Sequence, residues 1–226
     1  MWLLQNFSLD TFLIKLLAAA TILIFILPLH ELAHGWIALK LGDDTAKYQG
    51  RLTLSPMSHI DPLGAICMII FGFGWAKPVP INPTKFKNPR SGMAITALAG
   101  PVSNIIAAFF GVLIFNLMNL IIGLTGLSVP APIYYALEMF FVFYTSINCG
   151  LAVFNLIPLP PLDGSKILEA FLPDKIVFKF YQNQRMITLI VFALLFVGVL
   201  DVPLRFFQSG LYSGVVWLAG LPFGIS

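Results

Sequence analysis

The chain has 226 residues, of which 58% are hydrophobic and 10% charged, with 21 Phe and a mean hydropathy of +0.91, far too apolar for a soluble domain of this length. Its formal charge of +3 comes from basic residues scattered through the polar stretches, with no Lys/Arg run, which excludes a nucleic-acid-binding surface. The predicted fold class is an all-α polytopic membrane protein, one membrane-embedded domain over residues 1–226 in contact with a lipid bilayer.

In chain order, the apolar stretches at 9–41, 93–124, 133–157, 186–200 and 202–221 are the candidates for spans, which take about 20 apolar residues. The first lacks the basic leader and A-x-A site of a secretory signal, so it is expected to stay in the mature chain. Inside it, His30, Glu31 and His34 spell H-E-x-x-H. With three His and three Glu in the chain, a chance match is roughly a one-in-two-thousand event. On a helix, positions 30 and 34 share a face, so two imidazoles can hold one metal while Glu31 reaches water beside it. Ionisable groups in a membrane span are costly and mark function. At 1.5 Å per residue the metal would lie about 10–15 Å inside the Asp43-Asp44 end of the helix.

After the first span, residues 45–54 carry Thr45, Tyr48, Leu52, Thr53 and Leu54 around Gly50-Arg51 and predict a short β-hairpin. The run at 63–73 would make only about 16 Å of helix, too short to span, and is read as re-entrant or packed within the bundle. Lys77-Pro78-Val79-Pro80 cannot be helical and predicts an edge strand or extended loop that could pair with a peptide. His59, in Ser58-His59-Ile60-Asp61-Pro62, is read as a structural hydrogen-bonding residue. If 63–73 does not cross, loops 42–62, 74–92 and 158–185 fall on one side. They hold Lys47, Arg51, Lys77, Lys85, Lys87, Arg90, Lys166, Lys175, Lys179 and Arg185. By the positive-inside rule that side is cytoplasmic and the N-terminus faces outward.

A catalytic zinc usually has three protein ligands plus water. Glu138, Glu169 and Asp201 are available, but Asp163 follows Asn155-Leu-Ile-Pro-Leu-Pro-Pro-Leu, where three prolines end a helix and leave irregular backbone that must line a protein cavity. Asp163 is therefore the preferred third ligand, against an ordinary Asp-Gly turn. Gly100-Pro101 predicts a kink, and Asn104 reads from the residues alone as a polar group bonding a neighbouring helix. Cys67 and Cys149 lie in apolar surroundings without metal-type spacing, and no disulfide is expected.

His30-Glu-Leu-Ala-His34-Gly, Gly100-Pro-Val-Ser-Asn104 and Asn155 through Asp163-Gly164, in that order, resemble the site-2 protease family of intramembrane zinc metalloproteases. Gly74-Trp-Ala-Lys-Pro-Val-Pro-Ile-Asn-Pro83 looks like its minimal bacterial branch, which lacks PDZ and CBS domains. The resemblance implies a three-helix catalytic core over about residues 20–165, followed by C-terminal helices at about 186–222. It implies His30, His34 and Asp163 as ligands of one Zn2+ per chain, Glu31 as catalytic base, and Asn104 and Asn155 as substrate or oxyanion contacts. The expected substrates are transmembrane proteins or peptides, in a bacterial cell membrane, with the site nearer the cytoplasmic face. The rival class is a membrane transporter or a non-catalytic metal-binding membrane protein, since broken helices and buried carboxylates also build ion pathways. Transporters of that type tend to carry paired repeats, and the chain has none.

Overall fold

The computed structural model describes residues 8–71 and 75–224. Among these it is a helical bundle without a strand. Helix α1 (Leu9–Thr21) starts at Ser8, whose side chain accepts from the Thr11 N–H. It passes through a π-helical segment, Ile22–Ile26, into α2 (Leu27–Lys40), giving one continuous helix over Leu9–Lys40. Pro28 accounts for the π segment: it has no N–H, and its ring would collide with the carbonyl of Ile24, which the wider turn moves aside.

Three short helices follow, α3 (Thr45–Tyr48), α4 (Pro56–His59) and α5 (Pro62–Phe71). The hairpin expected over 45–54 is corrected here. Residues 45–48 form one helical turn, and Arg51 to Leu54 are irregular. The reason is local: the buried Asp43 carboxylate accepts from both the N–H and the hydroxyl of Thr45, and this outweighs the β-propensity of the Thr and Tyr side chains. Residues 72–74, which close the run predicted at 63–73 and open the segment with Gly74, lie outside the described residues. Trp75 to Asn82 is an extended strap, as its prolines require, with one antiparallel bridge, Ile60 to Ala76, in place of a ladder.

Two long helices complete the core. Helix α6 (Pro89–Thr125) is capped by Asn88, whose side chain accepts from Ser91, and continues through Pro101. At 37 residues it is about 55 Å long, well beyond the roughly 30 Å hydrocarbon layer. Helix α7 (Ala131–Asn155) returns antiparallel to it and ends ahead of the Pro158, Pro160, Pro161 turn. Then come α8 (Asp163–Glu169), α9 (Asp174–Gln182), α10 (Gln184–Val197) and α11 (Asp201–Gly220). Among the described residues three helices have the length and apolarity of a span: Leu9–Lys40, Pro89–Thr125 and Ala131–Asn155. Helix α10 is apolar but has only 14 residues, and α11 carries Asp201, Arg205 and Gln208, so the last two predicted spans are weaker ones.

Ile22, Leu23, Ile26 and Leu27 pack with Met68, Ala107 and Leu151, which fixes α2, α6 and α7 around one apolar centre. A second cluster, Ala108, Val112, Cys149, Val215 and Ala219, seats α11 against α6 and α7. Lys85 pairs with Asp44 and Arg90 with Asp174, so the loops after α2, before α6 and after α8 gather at the same end of the bundle. Both cysteines are free.

Candidate metal centre

The H-E-x-x-H turn lies in α2, six to ten residues before its end at Lys40, hence about 9–15 Å inside the helix terminus. His30, Glu31 and His34 are all buried. Asp163, the first residue of α8, is brought to them by the proline turn. His30 Nε2 and His34 Nε2 are 3.1 Å apart, and Asp163 Oδ2 lies 3.4 Å from the first and 3.3 Å from the second. A tetrahedral zinc with ligands at about 2.0–2.1 Å sets ligand atoms about 3.3–3.4 Å apart. The three donor atoms thus already stand at the corners of one face of such a tetrahedron.

The other ring nitrogens fix which lone pairs face the centre. His34 Nδ1 donates to the Thr96 carbonyl at 2.7 Å, and His30 Nδ1 lies 3.3 Å from Asn104 Oδ1, an acceptor. Each Nδ1 therefore carries the proton, and each Nε2 presents a lone pair. Two lone pairs 3.1 Å apart, beside a buried carboxylate oxygen that has no hydrogen-bond partner, repel one another unless a cation sits between them. The donor set fits a divalent metal, and His30, His34 and Asp163 are placed to hold it.

Gly100 makes the close approach possible. A Cβ there would lie 2.4 Å from His34 Nε2 and 2.5 Å from His30 Nε2, so the bare backbone of α6 forms one wall of the site. Gly35, one residue past His34, has the same part on the opposite face, where a Cβ would lie 2.6 Å from Leu52 and 3.1 Å from Val79. Glu31 turns toward the strap: its Oε2 accepts from the Val79 N–H at 2.9 Å. The strap is held further by Lys77 N–H to the His59 carbonyl (2.7 Å), Arg51 to the Lys77 carbonyl (2.9 Å) and Asn82 N–H to Asp43 (2.6 Å). Burial works against the charge on Asp43, but the bonds from Thr45 and the backbone N–H of Asn82 outweigh it and hold its pKa below the ordinary carboxylate value.

A cavity of about 420 Å³ opens beside these groups, lined among others by His30, Glu31, Asp163, Asn104, Asn155 and Trp75. Asn104 is buried with its oxygen toward His30. Asn155, the last residue of α7, donates to the Leu151 carbonyl at 3.0 Å and faces the same cavity. His59 is fully buried away from the metal group and hydrogen-bonds the Thr53 carbonyl at 2.8 Å. Glu169 is taken up by Lys166, and Asp201 lies 4.0 Å from Arg205. Sequence reasoning missed the Thr96 carbonyl, Gly100 as a wall and the Val79 N–H. Of the three only Gly100 left a mark in the sequence, as one half of the Gly100-Pro101 pair within an apolar helix.

The family model for "Peptidase family M50" matches residues 18–198. A Bacillus subtilis (strain 168) protein named "Putative zinc metalloprotease YwhC" is 45% identical over 175 residues, 77% of this chain and 78% of that one. A Methanocaldococcus jannaschii protein named "Putative zinc metalloprotease MJ0611" is 33% identical over 73% of each chain. A Mycolicibacterium smegmatis protein named "Putative zinc metalloprotease Rip2" is 31% identical over 65% of this chain and 54% of its own length. No solved structure matches. With the family's motif residues meeting at one buried centre, the chain belongs to peptidase family M50, the site-2 protease family.

Proposed function

We propose that the protein is an intramembrane zinc endopeptidase that hydrolyses peptide bonds of transmembrane substrates, with one Zn2+ held by His30, His34 and Asp163. The observation that carries this reading is the face of three donor atoms, 3.1–3.4 Å apart, with Glu31 on the same helix and lining the same cavity. Zinc bound there supplies a Lewis acid that lowers the pKa of water toward about 7 and polarises a carbonyl. Glu31 takes the proton from the attacking water and returns it to the leaving amine. Asn104, whose oxygen is committed to His30, has only its amide N–H groups to offer a substrate carbonyl or the developing oxyanion. Asn155 has one amide N–H beyond the one given to Leu151 for the same purpose.

A helical substrate hides its carbonyls in its own hydrogen bonds, so it must unwind locally before it can enter the cavity, and helix-weakening residues near the cut favour cleavage. The loops at the metal end hold most of the basic residues, which supports a cytoplasmic placement of that end in a bacterial cell membrane. Names of relatives that include "zinc metalloprotease" support the metal and the reaction class. The test is Glu31→Gln in the purified protein, with zinc measured by elemental mass spectrometry and cleavage of a membrane-spanning peptide in proteoliposomes. Zinc content is expected to stay, and cleavage to fall by about 10²–10⁴-fold. Cleavage at the original rate by that variant removes Glu31 from the mechanism.

A further inference from the structure

Helix α9 divides sharply into two faces. At 100° per residue, Lys175, Lys179 and Gln182 fall within one narrow arc, while Ile176, Val177, Phe180 and Tyr181 fall on the other side, with Phe178 at the border. The apolar side is only partly absorbed by the bundle: Val177 and Phe180 are half-buried, but Ile176 is 41% exposed and Tyr181 49%, with Phe178 at the border 63% exposed and Phe171 just ahead of the helix 81%. Among the described residues, Lys175, Lys179 and Arg185 take part in no ion pair, whereas the one acid of the helix, Asp174, is neutralised by Arg90 of α6. The surface therefore shows uncompensated positive charge flanking exposed aromatic and aliphatic groups.

Connectivity says where this surface lies. Asn183 ends α9 and begins α10, with φ −103° and ψ 10°, so the chain breaks direction between the amphipathic helix and the apolar one. Helix α9 sits at the end of the bundle where the spanning helix Leu9–Lys40 stops and the spanning helix α6 starts, a single residue ahead of the short apolar helix α10, and so near the level of the lipid headgroups. Its roll about its own axis is set by α8. Lys166 Nζ lies 3.0 Å from Glu169 and 3.1 Å from the Tyr181 hydroxyl, and that hydroxyl donates to Glu169 at 2.9 Å.

We propose that α9 lies in the plane of the membrane surface and binds anionic phospholipid headgroups through Lys175, Lys179 and Arg185, with Phe178 and Ile176, which flank the basic arc on either side, reaching the acyl-chain boundary. Same-sign charge beside exposed apolar side chains is the pattern of an interfacial helix, and each Lys or Arg near an anionic leaflet strengthens the attachment several-fold. The inference needs the membrane placement but not the protease reading.

The test uses the full chain in nanodiscs, with Phe178→Cys labelled by a polarity-sensitive fluorophore in a Cys67→Ser background, Cys149 being fully buried. In discs containing phosphatidylglycerol the emission is expected to shift to the blue relative to phosphatidylcholine alone, and salt is expected to reverse the shift. In the variant K175Q/K179Q/R185Q the lipid dependence is expected to weaken by roughly 100-fold, as three charges lost near an anionic surface require. A probe at Gln182→Cys, on the polar arc, is expected to stay in water throughout. A blue shift of equal size in both lipids would mean apolar insertion without headgroup recognition and overturns the proposal. Emission that is red in both lipids and responds only to added protein assigns the surface to a protein partner and equally overturns it. Neither readout depends on cleavage, so failure of the endopeptidase reading and failure of this one are told apart.

Discussion

The metal end of the bundle and the C-terminal pair α10 and α11 are built on opposite terms. Around the His30, His34 and Asp163 group, specific polar groups are paired: His34 to Thr96, His30 to Asn104, Glu31 to Val79, Asp43 to Thr45 and Asn82. Glycines at 35 and 100 leave room for those pairs and nothing else. Helix α11 instead docks through Val215 and Ala219 against Ala108, Val112 and Cys149, tied by hydrogen bonds from Gln208 to Ser146 and from Asn116 to the Ala219 carbonyl, while Phe206, Phe207 and Trp217 face outward. Val191 of α10 is buried and Phe192 meets Trp75, yet Leu189, Ile190 and Val197 are exposed. Directional contacts hold the first region and small-residue packing in lipid the second, so equal-sized substitutions should have unequal effects.

The largest effect is expected at Gly100→Ala. Its methyl would meet both imidazoles closer than any real contact, and zinc affinity, measured by competition with a chelator, should fall by more than the 10–100-fold typical of altered supporting residues. Zinc affinity unchanged by that methyl would break the comparison outright. Asn104→Ala comes next. It frees His30 Nδ1 from its acceptor and should weaken zinc about 10–100-fold while the helices stay folded by circular dichroism.

Asp43→Asn sharpens the contrast by pH. A carboxylate whose folded pKa is depressed adds stability that is fully present above its ordinary value of 3.8 and disappears as pH falls through the lower folded value. The wild type should therefore lose thermal stability in acid below about pH 4, and the variant should show a flatter curve there. At neutral pH the variant should be less stable by about 1–3 kcal/mol, since an amide would set an N–H against a backbone donor. The smallest effect belongs to Gln208→Ala. Losing its bonds to the Ser146 carbonyl and hydroxyl should cost about 0.6 kcal/mol, as interhelical bonds in membranes average, and leave zinc binding untouched.

Much of this architecture is legible in the sequence. Hydropathy located the three long helices to within a few residues, because a helix that crosses lipid must be apolar along its whole length. The metal group followed from i, i+4 spacing and from an Asp after prolines, both of which survive in sequence as fixed offsets. The turn at 45–48 was not legible, since its conformation depends on the Asp43 carboxylate, whose oxygens also reach across to Asn82. Nor were the partners of His34 and Glu31. Both are main-chain groups, of Thr96 and Val79, and the letters of a sequence carry no record of where its peptide groups point.

The strap has a directional consequence for whatever chain lies along it. From Pro78 to Pro80 only Val79 carries an amide hydrogen, and it is spent inward on Glu31. A guest peptide alongside meets carbonyl oxygens without a single donor in reply, and must bring its own N–H groups to be read. Proline in the guest at those registers would leave the strap with nothing to grasp.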